Sequence, residues 1–92
     1  MAHLKSHQQL TEELKEAKKL VVIGGRYSHY KHPENTYKIV GLGIQEATDK
    51  ICVFYNPEYM DDKITFVRDL DNWLEKPEIN GIQVERFKLI TS

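Results

Sequence analysis

Ninety-two residues, 40% hydrophobic and 29% charged, describe one ordinary globular domain, too short for a second core and too apolar to be disordered. Thirteen basic and fourteen acidic groups leave a formal charge of −1, without the basic excess of a dedicated nucleic-acid binder. The net charge is +2 over residues 1–50 and −3 over residues 51–92, an asymmetry too small to name a partner.

Cys52 is the lone cysteine, so an intramolecular disulfide and a cysteine-built zinc site are both excluded. Small secreted domains are usually stapled by disulfides, which makes the cytoplasm the expected compartment. The opening MAHLKSHQQL lacks the apolar stretch of a signal peptide. The longest aliphatic run, Leu20 to Ile23, is four residues against the roughly 20 of a membrane helix, so no membrane association is expected.

The chain begins as a helix. Leu10, Leu14, Ala17 and Val21 recur at helical spacing and form one apolar stripe, with Glu12 and Lys15, then Glu16 and Lys19, able to pair on the solvent side. Ser6 followed by Gln9 fits a capping box, Thr11 followed by Glu12 and Glu13 offers a later start, and the pattern predicts a helix over about residues 7–19. So short a helix is marginal alone in water. Its stripe must dock on the rest of the domain or on a second copy.

Gly24-Gly25 stops the helix, and the pattern then changes to period two. A first strand carries Tyr27 and His29 on one side and ends near Lys31. His32 to Thr36 is turn chemistry. Tyr37 to Ile44 predicts a second strand with Val40, Leu42 and Ile44 on one face, and with Gly41 and Gly43 opposite, where a bend or a close approach is expected. Ile51 to Asn56, apolar on both faces, is expected to be central, and Pro57 ends its pairing. An acidic loop at Asp61-Asp62 precedes a strand over Ile64 to Arg68. A short helical segment follows at Asp69 to Glu75, with Leu70, Trp73 and Leu74 on one side. Asn80-Gly81 is the strongest hairpin signal, because a type I′ turn needs positive φ twice. The returning strand, Ile82 to Ile90, shifts its apolar phase from Ile82 and Val84 to Phe87 and Leu89, which predicts a bulge near Glu85-Arg86.

The blocks GRYSHYK (25–31), YKIVGLGI (37–44), ICVFYNPEY (51–59), ITFVRDLDNWLE (64–75) and INGIQVERF (79–87) together resemble the domain of unknown function 1653 (DUF1653) family. The resemblance covers about residues 25–88 and implies a mainly β fold: a small SH3-like barrel of about five strands, here with an added N-terminal α-helix. It divides the chain into a tail and amphipathic helix over residues 1–24 and a barrel over residues 25–92. The family's aromatic-x-His-aromatic-Lys start falls on Tyr27, His29, Tyr30 and Lys31. Its Ser-Glu-Thr-like turn falls on Glu46-Ala47-Thr48, and its Val- and Tyr-rich strand on Val53 and Tyr55, with a later Tyr59. Its Trp-Val-Arg-Pro block reads Phe66-Val67-Arg68-Asp69. Phe66 lacks the indole donor, and with no serine in the turn any hydroxyl role there falls to Thr48. The resemblance implies a fold and a candidate surface, but no reaction.

The expected ligand site is His29, Lys31, Thr48, Tyr55 and Arg68. Brought together, they form a polar pocket with an aromatic wall, suited to an anionic or planar ligand. The competing reading has these groups satisfying one another as cross-links of the fold. Metal binding is not expected, because His29 and His32 face opposite sides of a strand and His3 and His7 lack a third ligand. Gly41-Leu42-Gly43 has no third glycine and no following helix, so it is not a dinucleotide fingerprint. Cys52 reads as a small buried residue rather than a nucleophile paired with His29. The acidic pairs Asp61-Asp62 and Asp69-x-Asp71 read as solvated loop carboxylates. Tyr27, Tyr30, Tyr37, Phe54, Tyr55, Tyr59, Phe66 and Trp73 can form a cage or stacking platform, although most must supply core. No catalytic signature is present and no cofactor is expected. Three functions compete: a binding module for a small ligand or short peptide, an enzyme or enzyme accessory using His29 as acid or base, and an interaction domain, possible as a homodimer, acting through the N-terminal helix.

Overall fold

The structure, a computed structural model, describes residues 5–60 and 64–91; the acidic loop expected at Asp61-Asp62 lies outside them. Helix α1 (His7–Ala17) starts where the capping chemistry predicts, with the Ser6 hydroxyl accepting the Gln9 N–H at 3.0 Å. It ends two residues earlier than expected and docks on the sheet of its own chain. Ala17 and Val21 enter the core at 2% and 4% exposure, while Leu10 and Leu14 are only half-buried. The link back to the sheet is tied down. The Val22 N–H donates to the Tyr27 hydroxyl at 3.0 Å, and the Gly24 N–H donates to the Ile39 carbonyl at 2.7 Å. Gly24 takes φ +86° there, a value that favours glycine.

Five strands form one antiparallel sheet: β1 (Arg26–His29), β2 (Thr36–Gln45), β3 (Lys50–Pro57), β4 (Phe66–Asp69) and, last in the chain, β7 (Phe87–Leu89). Their order across the sheet is β4-β3-β2-β1-β7. Helix α2 (Leu70–Trp73) follows β4 directly and buries Leu70 and Trp73, but leaves Leu74 exposed. Strands β5 (Glu78–Ile79) and β6 (Ile82–Gln83) make a separate two-stranded ribbon. Its turn is the expected one, with φ +51° at Asn80 and +79° at Gly81.

A bulge in β2 corrects the expected facing of that strand. Ile39 pairs with Tyr55 and Gly41 with Phe54, so Val40 is the extra residue and lies outside, 46% exposed. The inward phase therefore changes along the strand, from Tyr37 and Ile39 before the bulge to Leu42 after it. Gly43 provides the close approach that the pattern predicts. The Phe54 ring packs against it, and a Cβ at that position would collide with the ring's Cε2 and Cζ.

The inner face is built by alternation. Tyr27 and His29, Tyr37 and Ile39, Val53 and Tyr55, Phe66 and Arg68, and Phe87 and Leu89 all fall on it through the pairing register. Ile39 and Val53 are fully buried at its centre. Four strand spacings would separate β4 from β7 by about 19 Å in a flat sheet. Instead the Arg68 guanidinium of β4 lies 5.0 Å from the centre of the Phe87 ring of β7. The sheet curls until its two edges meet through side chains, although no hydrogen-bonded ladder joins β4 to β7 among the described residues. The expected five strands are present, and the backbone closure of a barrel is not seen.

The returning strand is also corrected. It is interrupted rather than bulged, because Val84 and Arg86 donate to the carbonyls of Pro77 and Glu75 while the Arg86 carbonyl accepts from Tyr30. The backbone changes partners there, and that change is the physical form of the phase shift read in the sequence. Among the described residues no helix is long and apolar enough to cross a membrane.

The Gly43 contact predicts a coupled pair. Gly43→Ala should destabilise the domain by about 1–3 kcal/mol through overpacking, and Phe54→Leu in the same chain should recover most of that loss. Urea unfolding of the two single variants and the double variant measures it; strictly additive effects would show that the ring is not the obstacle.

Candidate functional site

One end of the inner face opens as a cleft of about 380 Å³. Three of the five residues expected from sequence line it: His29 from the end of β1, Tyr55 from β3 and Arg68 from β4. Tyr37, Phe87 and Phe66 complete the walls, with Tyr59 and His32 at the rim.

Arg68 is the organising group. Its Nε–H donates to the Tyr55 hydroxyl at 3.1 Å, Nη1 donates to the Asn72 side-chain carbonyl of α2, and the guanidinium lies over Phe87. Phe87 is itself stacked on Trp73, with 3.7 Å between ring centres and 2° between planes. The charge is thus held from three directions. Among the described residues no carboxylate pairs with it, and none lines the cleft. A guanidinium has five N–H donors, and two are used here.

His29 stands across the cleft, edge-on to Phe87 with ring centres 5.0 Å apart. Its Nδ1 accepts the Lys31 backbone N–H at 3.1 Å, which places the proton of the neutral ring on Nε2. Burial first, and then the Arg68 guanidinium, hold this imidazole below its ordinary pKa. Tyr37 and Tyr59 share a hydroxyl–hydroxyl hydrogen bond of 3.2 Å. Burial, reinforced by that bond, pushes Tyr37 up to about 12. Both groups are therefore neutral at physiological pH, and Arg68 supplies the permanent charge.

Lys31 and Thr48 lie apart from this cleft. Strand β1 ends at His29, so alternation no longer governs Lys31, and its ammonium sits 5.8 Å from the centre of the Tyr30 ring. Thr48 belongs to the β2–β3 turn, where its hydroxyl donates to Gln45 Oε1 at 2.7 Å. Five strand positions separate Lys50, at the base of that turn, from Tyr55, roughly 17 Å along β3. Thr48 serves the turn itself, beside Asp49 at φ +59°.

His32 is a correction in the other direction. Opposite facing assumed a continuing strand, but the chain turns here, with the His32 N–H on the His29 carbonyl at 3.1 Å, and both imidazoles line one cleft. They gather no third ligand, and no group of three His, Cys, Asp or Glu suited to a metal occurs among the described residues. Cys52 faces away from His29, on the other side of β3 from Val53 and Tyr55. Burial, then Asp69, pushes its thiol up, the reverse of an activated nucleophile.

Sequence reasoning missed Asn72 and Phe87. Nothing local in a four-residue helix singles out an arginine anchor. Phe87 read only as the apolar phase of a strand. A second cavity, about 350 Å³, lies between α1, the β2–β3 turn and α2. Glu12, Glu16, Asp69 and Asp71 line it, and Glu13 is tied to Lys5 at 2.8 Å. Its charge is opposite to that of the Arg68 cleft.

Comparison with known proteins agrees with this architecture. The profile of a protein family of unknown function, DUF1653, matches residues 25–89. The crystal structure of a DUF1653 protein from Bordetella bronchiseptica is similar, with a TM-score of 0.62 and 28% identity over 73% of this chain and 85% of that one. No match was found among curated proteins.

The lowered pKa of His29 has a definite sign. The stability it contributes is fully present above its unfolded value of about 6.5 and is lost as pH falls through the lower folded value. Histidine NMR titration should place His29 below 6.5, and Arg68→Ala should raise the midpoint without restoring it fully, since burial is the larger cause. A midpoint at or above 6.5 in the wild type would show that the ring is neither buried nor faced by the guanidinium.

Proposed function

The chain belongs to the DUF1653 family of proteins of unknown function, and from that premise we propose that it is a small binding module. Its cleft of Arg68, Tyr55 and His29 takes a small anionic or planar polar ligand, or a short peptide. One observation carries this reading: a guanidinium clamped by Tyr55, Asn72 and Phe87 keeps three N–H donors unused and has no carboxylate partner among the described residues. A charge serving only as a cross-link is expected to be neutralised by a neighbouring acid, as Arg86 is by Glu75 at 2.8 Å. Holding the fork in one geometry lowers the cost of ordering it on a ligand.

The reading extends to the fold and its setting. We take the curled sheet as an SH3-like barrel left open between β4 and β7, with the Arg68–Phe87 contact standing in for the missing ladder. The free, buried Cys52 thiol and the bacterial source of the similar structure support a bacterial, cytoplasmic module. Among the described residues no side chain hydrogen-bonds the His29 ring, whose Nδ1 accepts the Lys31 backbone N–H, so the acid–base reading has no orienting side chain in its support.

Arg68→Ala separates binding from cross-linking. With a panel of anions screened by thermal shift, the wild type should be stabilised by at least one class. The variant should lose about 1.5–3 kcal/mol of binding, a larger effect than its loss of stability. If no anion shifts the wild type and the variant is merely less stable, Arg68 is a cross-link and the proposal fails.

A further inference from the structure

Resting on that binding reading, we infer that the occupant of the Arg68 cleft is a planar monocarboxylate, an aromatic or conjugated acid, rather than a phosphate ester. The first argument is charge. Within the cleft Arg68 is the permanent cation, and neither Lys31 nor Arg86 lines it. Lys31 lies over Tyr30, and Arg86 is paired with Glu75. His29 is neutral, and His32 at the rim has Glu34 Oε1 3.6 Å from its Nδ1. A site of this kind balances one negative charge, whereas a phosphate monoester brings nearly two at neutral pH.

The second argument is shape. The three N–H groups left on Arg68 suit a carboxylate held by two parallel bonds, the geometry in which a guanidinium is strongest. Beyond the charge the walls are rings. Tyr37 stands edge-on to both Tyr55 and Tyr59, with 5.6 Å between centres in each pair. Phe66 and Tyr59 remain 37% and 49% exposed at the opening, presenting ring surface that the core does not use. The Tyr37–Tyr59 hydroxyl pair uses one of its two protons internally, which leaves the other for a polar ring substituent. A volume of about 380 Å³ is at the small end of ligand pockets and suits a single-ring acid.

Benzoate, acetate, phenyl phosphate and inorganic phosphate, titrated into the wild-type chain at pH 7 and followed by NMR, test the inference. Benzoate should move the Arg68 Nε–Hε signal and the ring signals of Tyr37, Tyr59 and Phe66, and should bind at least tenfold more tightly than acetate or phenyl phosphate. Arg68→Gln should abolish this, and Phe66→Ala should weaken benzoate while leaving acetate unchanged. The wild-type titration reads the result even if a variant does not fold. Acetate or either phosphate binding through Arg68 as tightly as benzoate would overturn the planar-acid inference and leave the binding module standing. No response of Arg68 to any of the four probes would overturn both.

Discussion

Every strand of the main sheet reaches the ring of Phe87. It lies on the last strand, yet His29 of β1, Tyr37 of β2 and Tyr55 of β3 meet it with ring centres between 5.0 and 5.9 Å apart, and Arg68 of β4 covers it. Trp73 of α2 stacks flat against it. A five-stranded sheet curls this tightly only if something holds its edges together, and a buried aromatic ring makes many dispersion contacts without needing hydrogen-bond partners. The ring is 4% exposed, so this closure is also core. Core and cleft are two sides of one cluster.

That sharing explains why the cleft carries an arginine. The planar guanidinium can lie on Phe87 and still direct its N–H groups sideways, to Tyr55 and Asn72. A lysine ammonium has no flat face to stack and no fork to hold in register. Retaining an unneutralised cation costs desolvation, and here the cost is lowered by partial exposure, by two hydrogen bonds and by the ring face. The same charge, after burial, keeps His29 neutral. The electrostatics of the cleft thus follow from one residue and its three supports.

Opposite charge gathers in a separate cavity, where α1, the β2–β3 turn and α2 bring acidic side chains together. Lys5 spans part of that region through Glu13 and, by its backbone N–H, through Asp49 at 3.1 Å. The two sites meet along β4 and α2, where Asp69 and Asp71 line the acidic cavity while their neighbours Arg68 and Asn72 serve the cleft. The small formal charge of −1 therefore conceals a polarised surface.

What was legible in the amino-acid sequence was local. Ser6 before Gln9 specified a cap, Asn80-Gly81 a type I′ turn, and a glycine at 43 a close approach, because each depends on backbone geometry within a few residues. The period-two runs likewise placed Tyr27 and His29, and Val53 and Tyr55, on shared faces. Only the tertiary structure decided which faces meet. The Val40 bulge reverses the phase of β2, the turn at His29 brings His32 round and removes Lys31, and the hairpin carries Thr48 to the far end. Asn72 and Phe87 became parts of the cleft through the curl of the sheet and the start of α2, contacts between segments distant in the chain. Such contacts rest on packing among residues that are individually unremarkable, and no local pattern encodes which of them will touch.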